Sequence, residues 1–259
     1  MKQLLLILSL FCTPAFADEK QKTLTVFAGI EGIKEAPFSM WEKGAPEPQG
    51  LDPDILRLVA KELGVKLSFF KVDLSKGWVD LRRELLEANL VDMLAYAYTI
   101  TDERKKHVSF SQPYLVSTMN ALILKDSNIK SKEDLEKFPV LAFGHTTSYK
   151  WAKKNIKGQI FASFPKSTEI MSIDQLLEKK VIGAYLGDYY NLLVMAKANQ
   201  NLKVLKDPLQ KEDIAIALPK SRVLLLEKIN KAMIKLKRNG ELEQLRKKYF
   251  EPKLSDKSK

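Results

Sequence analysis

The sequence predicts an α/β fold made of two similar layered sets, and a few observations carry that reading. Short apolar, β-branched runs alternate with helical periodicity along almost the whole chain, the pattern of layered α/β domains with mostly parallel strands. A second set of this kind begins after Pro113, and residues 214–218 read as a strand returning to the first set. No internal repeat, low-complexity tract or proline-rich linker lies between the sets, so ordered strands must join them.

Residues 24–28 form the first strand. Gly50-Leu51-Asp52-Pro53-Asp54 opens a helix, with Asp52 placed to cap it and Pro53 at its first position. Ile55, Leu58, Val59 and Leu63 give that helix an apolar stripe, and Gly64 ends it. A strand over 65–71, a helix carrying Leu81, Leu85 and Leu86, and a strand over 91–95 complete the first set. In the second set, Ser131 with Asp134 reads as a capping box before a short helix. A strand over 140–143, a helix opening at residues 146–148 and a strand over 182–186 running into Gly187-Asp188 follow. Two helices, over 223–238 and 241–250, flank Asn239-Gly240 near the end.

The start of the chain reads as a cleavable export signal over residues 1–17: Lys2, an apolar run over 4–11, and Ala15-Phe16-Ala17 as the cleavage signature. The run is too short to cross a bilayer, which takes about 20 residues of helix. Leu10 and Phe11 argue against a lipid anchor on Cys12. Cleavage removes the single cysteine, which excludes a disulfide scaffold and leaves a soluble chain with room for one large or two small domains. The net charge is +11, of which Lys2 contributes one. Lysines are spread over nearly every helix with no aromatic-interleaved basic motif, which argues against a nucleic-acid partner and for a solvated surface. His107 and His145 are the only histidines and fall in different sets, so no metal site and no cofactor are expected.

Thr99-Ile100-Thr101-Asp102-Glu103-Arg104-Lys105-Lys106, continuing through Val108-Ser109-Phe110-Ser111-Gln112-Pro113-Tyr114, resembles the family 3 extracellular solute-binding proteins, the polar amino-acid receptors of ABC importers. Ala36-Pro37-Phe38, residues 50–54, residues 145–148, Leu186-Gly187-Asp188-Tyr189 and Asn239-Gly240-Glu241-Leu242 match further motifs in the same order. The resemblance implies the type II periplasmic binding protein fold, with two α/β lobes joined by two crossing strands. Lobe one would combine 22–116 with 212–253, lobe two would span 117–211, and 254–259 would be a disordered tail. A small ligand would sit between the lobes, beyond the carboxyl ends of the strands, and close them about hinges near 114–120 and 211–214. The implied role is a monomeric periplasmic receptor that captures a zwitterionic solute, an amino acid, and delivers it to a membrane ABC permease.

A zwitterion needs forked cationic donors at one end and a buried anion at the other. By resemblance, Arg104 takes the carboxylate, its fork holding both oxygens; the bland alternative is a surface arginine paired with Asp102 or Glu103. Thr99 adds its hydroxyl and N–H. Thr147, with Thr146 beside it, lies at a helix start, where free amides favour an anion; plain capping is the competing reading for Thr99 and Thr147. Asp188 answers the aspartate that accepts the ligand ammonium, with an N-cap role as its alternative. Trp78 lies near a stacking position, Tyr96 and Ala97 replace small residues near the ammonium, and Phe143 falls at a side-chain-pocket position. Glu35 stands where relatives place an aromatic, and Glu31 is a weaker pocket acid. Two other functions stay open: an exported dehydratase resembling cyclohexadienyl dehydratases, with Glu35 or Asp188 as its acid, and a stand-alone solute sensor.

Overall fold

The structure is a computed structural model that describes residues 22–73, 80–162 and 171–251. The export signal over 1–17, Trp78 and the tail over 254–259 lie outside the described residues. Strand β1 (Thr23–Phe27) buries side chains on both faces: Leu24 and Val26 enter one apolar cluster and Phe27 another. A parallel strand covered by helices on both sides must do this. A hairpin of β2 (Lys34–Glu35) and β3 (Ser39–Met40) leads into α1 (Leu51–Leu63), followed by β4 (Lys66–Phe69), α2 (Leu81–Glu87), β5 (Met93–Leu94) and α3 (Asp102–His107). The long β6 (Val108–Leu124) leaves this lobe. The second lobe holds a 3-10 turn (Glu133–Lys137), β7 (Val140–Leu141), α4 (Thr147–Asn155), β8 (Ile160–Phe161), α5 (Ile173–Glu178), β9 (Ala184–Asp188), α6 (Tyr189–Ala198) and β10 (Leu202–Val204). Strand β11 (Gln210–Pro219) returns, and α7 (Val223–Arg238) and α8 (Glu241–Phe250) close the first lobe.

The strand order is β4-β1-β5-β11-β6-β9-β7-β8, with β10 on the side of β6. Pairs within each lobe (β1 with β4 and β5, β7 with β8 and β9) are parallel, whereas β6 and β11 run antiparallel to each other and bridge the lobes. Two apolar clusters lie on either side of the first lobe's strands and two more on either side of the second's. The sequence reading missed β6 as one continuous strand because Pro113 interrupts it. The register with β11 slips at that point, where Pro113 stands opposite Ala215, and the bulge absorbs the missing N–H.

Helix α1 departs from expectation at its start. Its N-cap is Gly50, not Asp52, and its first amides are satisfied by main chain: Leu51 N–H donates to Pro37 O at 3.1 Å and Asp52 N–H to Phe38 O at 3.0 Å. Asp52 lies within the first turn and is completely buried. The stripe is also rotated, with Leu56 fully buried and Leu58 only flanking the cluster. Ile55, Leu56 and Val59 each contribute about 1.5–3 kcal/mol by burial. The expected box at Ser131 is half made: the Asp134 carboxylate accepts the Ser131 and Lys130 N–H groups, but the turn is 3-10 and Lys132 precedes it.

Gly50 holds φ 129° and ψ 179°, a region essentially closed to other residues, and a Cβ there would lie 2.3 Å from Phe38 O. Gly50→Ala is therefore expected to destabilise by at least about 1–3 kcal/mol, the cost of such a backbone state before any clash. An unchanged urea midpoint would show that the α1 entry is not constrained in this way.

Candidate functional site

Thr101 caps α3, its hydroxyl accepting the Arg104 N–H at 3.2 Å, and this sets Arg104 on the inner side of a short helix. The surface reading of Arg104 does not hold. Asp102 pairs with Lys105 at 3.2 Å, Glu103 pairs with Lys150 of the second lobe, and Arg104 is 8% exposed. Its guanidinium lies 4.2 Å from the Tyr98 ring centroid, and Nη1 donates to Thr99 O at 2.8 Å. Burial, with the like charge of Arg82 second, pushes its pKa down to about 10, so it remains a cation at neutral pH. Arg104 and Thr147 share a cavity of about 320 Å3, lined also by Lys150, Trp151 and Gln210.

Asp188 ends β9, on the second lobe. Its Oδ1 accepts the Tyr190 N–H at 2.8 Å and caps α6, so the structural reading of this residue holds. Oδ2 is buried and makes no hydrogen bond among the described residues. Burial pushes its pKa up to about 7, against the pull of the Ser117 hydroxyl, which is near but lacks hydrogen-bond geometry, and of the Tyr190 N–H. Asp52 lies under the same region, where Tyr114 donates to Oδ1 at 2.6 Å and the Ala97 N–H to Oδ2 at 2.7 Å. Its pKa also rises to about 7, chiefly by burial, with Glu35 and Asp188 adding repulsion. Glu35, at the end of β2, is raised by burial too, while the Tyr96 hydroxyl and Arg82 hold it back. Glu35, Asp52 and Asp188 therefore form one electrostatically coupled acidic group.

The remaining expected residues separate. Thr99 is 5% exposed and gives its carbonyl to Arg104. Thr146 is spent on capping: its hydroxyl accepts the Tyr149 N–H at 3.2 Å and donates to Phe143 O. Ala97 holds φ 42°, and its N–H is committed to Asp52. Tyr96 packs edge-on against Phe27 at 5.3 Å, and its buried hydroxyl faces Glu35 without hydrogen-bond geometry. Phe143 packs edge-on against Tyr185 at 5.8 Å. Glu31 is tied to Gly44 N–H at 2.6 Å and Lys71 at 3.0 Å, an arrangement that lowers its pKa.

Sequence reasoning missed two residues of this region. Glu212, on β11, is 4% exposed and lies beside the hydroxyls of Thr147 and Thr99. Arg82, on α2, donates to Tyr96 O at 3.3 Å and lies 5.1 Å from the Tyr98 ring centroid. In Lys211-Glu212-Asp213 and Arg82-Arg83 the local sequence reads as solvated surface; only the strand alternation running back from Ile214 hinted that Glu212 turns inward. Tyr96 OH, Tyr98 OH, Ser117 Oγ, Asp188 Oδ2 and Glu212 Oε1 are all buried without a hydrogen bond among the described residues. Buried polar atoms are normally paired, so this concentration marks a place built for a polar guest. The lobes also meet directly, through Asn191 Nδ2 donating to Ala36 O at 2.7 Å and the Tyr190 and Phe250 rings stacked at 3.8 Å.

The model of the bacterial extracellular solute-binding proteins, family 3, matches residues 31–252. The chain belongs to that family. Among family 3 relatives, it is 28% identical to the L-cystine-binding protein TcyJ of Escherichia coli (strain K12), over 91% of this chain and 88% of that protein. It is 30% identical to the ABC transporter glutamine-binding protein GlnH of Bacillus subtilis (strain 168), over 82% of this chain and 77% of that one. An ancestral arginine-binding protein solved with arginine bound superposes with a TM-score of 0.72 at 30% identity, covering 89% of this chain and 99% of the other. This family 3 chain thus has the two-lobe type II fold. No group of His, Cys, Asp and Glu among the described residues could hold a metal, and no described helix is long and apolar enough to cross a membrane.

Proposed function

We propose that the protein captures a free amino acid, or a close zwitterionic analogue, between its lobes and delivers it to a membrane ABC permease. The observation that carries the reading is the pairing of a buried cation on the first lobe, Arg104, which makes no salt bridge among the described residues, with a buried carboxylate oxygen on the second, Asp188 Oδ2, that has no partner of its own among them. Arg104, Thr99 and Thr147 receive the carboxylate, Asp188 receives the ammonium, and Glu35 with Tyr96 faces the side chain. An acid at that end favours side chains that donate hydrogen bonds or carry positive charge. The names of the relatives support the class: cystine, glutamine and arginine are amino acids. In this reading the receptor is exported to the periplasm after removal of residues 1–17, works as a monomer without cofactor or catalytic step, and divides at 116/117 and 211/212, with the crossing strands as its hinge.

A thermal-shift screen of ligand-stripped protein against the common amino acids, L-cystine and polyamines tests this. A ligand at 100 times its dissociation constant stabilises by about 2.7 kcal/mol, which is visible as a rise of several degrees in melting temperature. A flat response across the library would refute the assignment.

A further inference from the structure

Glu212 has no part in the zwitterion scheme, yet it is among the most deeply enclosed charged side chains of the chain, 4% exposed on one of the two strands that cross between the lobes. In the β6–β11 ladder it stands opposite Ser117, whose hydroxyl is also buried and unpartnered among the described residues. Alternation along a strand puts Glu212 on the same face as Gln210, and Gln210 lines the cavity shared by Arg104 and Thr147. Around its carboxylate stand the hydroxyls of Thr147, from the second lobe, and Thr99, from the first, with the charges of Arg104 and Arg82 beyond them. These are the groups that the proposed function assigns to the ligand carboxylate, joined by Arg82. Oε1 has no hydrogen-bond partner among the described residues, and no cation lies within ion-pair distance of the side chain among the salt bridges they form.

We propose that Glu212 is an internal stand-in for the ligand carboxylate: in the empty protein it occupies the field of Arg104, Thr99 and Thr147 across the two lobes, and an incoming amino acid must neutralise or displace it. Glu212 is then an affinity-determining residue of the site that opposes binding while it is ionised. This rests on the reading of Arg104 and its neighbours as a carboxylate subsite.

Two carboxylates sharing one set of donors cannot both stay ionised without cost, so one of them takes a proton. Burial already favours the neutral form of Glu212, and a ligand carboxylate beside it favours that form further. Binding therefore takes up a proton at Glu212, and its opposition fades as pH falls. The charged groups facing it are Arg104 of α3, Arg82 of α2 and Asp188 of β9, with Lys150 of α4 and Glu103 of α3 on the adjoining cavity wall. Asp188 titrates with the opposite effect, because an ammonium prefers it ionised, and the Glu212 charge helps to raise its pKa, so a variant at 212 shifts that slope as well.

The test is Glu212→Gln, close to isosteric and unable to ionise. Dissociation constants for L-arginine, L-glutamine and L-cystine are measured by calorimetry from pH 5.5 to 8.5 for both proteins, with small-angle scattering of each in ligand-free form. At pH 8.5, above the Asp188 pKa of about 7, Asp188 is ionised in both proteins, so the ratio of the two constants there reports Glu212. The expected result at pH 8.5 is tighter binding by the variant, on the order of tenfold, the change that follows when binding moves the Glu212 pKa by about one. That ratio should fall toward one as pH is lowered, and the ligand-free variant should be more open in scattering. Weaker binding by the variant would place Glu212 on the ammonium instead, and a ratio of one at every pH would remove it from the site; either overturns the inference. If neither protein binds any of the probes, the amino-acid reading itself fails. The ligand-free curves then decide Glu212 alone, and superposable curves overturn its bridging of the lobes.

Discussion

Arg104→Ala is expected to weaken amino-acid binding by about 30-fold to a few thousand-fold. Truncating one side of a buried, hydrogen-bonded charge pair costs about 2–5 kcal/mol, because the partner charge is left desolvated. The guanidinium is fixed from two directions before any ligand arrives, by Thr99 O at 2.8 Å and by the Tyr98 ring at 4.2 Å. Binding therefore spends little on ordering it. Arg104→Lys should bind nearly as poorly, since an ammonium can neither stack flat on Tyr98 nor hold two carboxylate oxygens. The partner test is Asp188→Asn rather than Ala: asparagine keeps the α6 cap, whose loss would cost about 1 kcal/mol, and removes only the charge. Calorimetry reads the affinities, and melting temperatures without ligand serve as the folding control. If Arg104→Ala and Asp188→Asn both keep wild-type affinity while folded, the zwitterion scheme is wrong for this cleft. Loss at Arg104 alone would indicate a carboxylate ligand without an α-ammonium.

Asp52→Ala should be the most destabilising single change among these residues, and its cost should depend on pH. Two buried donors, Tyr114 OH and Ala97 N–H, end on this carboxyl. Leaving each unsatisfied costs about 1–3 kcal/mol, or roughly 2–6 kcal/mol together. The folded pKa of Asp52 is raised from 3.8 to about 7. A raised acid contributes stability that is fully present below its unfolded pKa and is lost as pH rises through the folded one, at about 1.4 kcal/mol for each pH unit that separates the two. Alanine carries no such titration. The gap between wild type and variant should therefore be widest below the unfolded pKa of 3.8, shrink as pH rises toward about 7, and level off above it. Urea unfolding at pH 5.5, 7 and 8.5 measures this; a gap that stays constant or widens with pH would show that Asp52 is ionised throughout.

The sequence by itself determined the layered α/β class, since β-branched runs alternating with amphipathic helices leave few other ways to bury both. It located the two closing helices at 223–238 and 241–250 to the residue, because the Asn239-Gly240 break and their apolar stripes are local signals. Arg104 and Asp188 were singled out through ordered motifs, and the start of α4 at residues 146–148 through its helical spacing, although the cap fell to Thr146, which the sequence placed among the ligand residues. What depended on partners far along the chain was not legible. Asp52 read as a cap because Asp before Pro at a helix start is a capping pattern. It is instead a core carboxyl, because Tyr114 comes to it from 62 residues away and main-chain carbonyls of the β2–β3 turn take over the cap. Glu212 and Arg82 sit in runs whose local composition means solvent, and only the approach of the second lobe's Thr147 and the first lobe's Thr99 encloses Glu212. A charge is hidden or exposed by what packs over it, and that is a property of the tertiary structure alone.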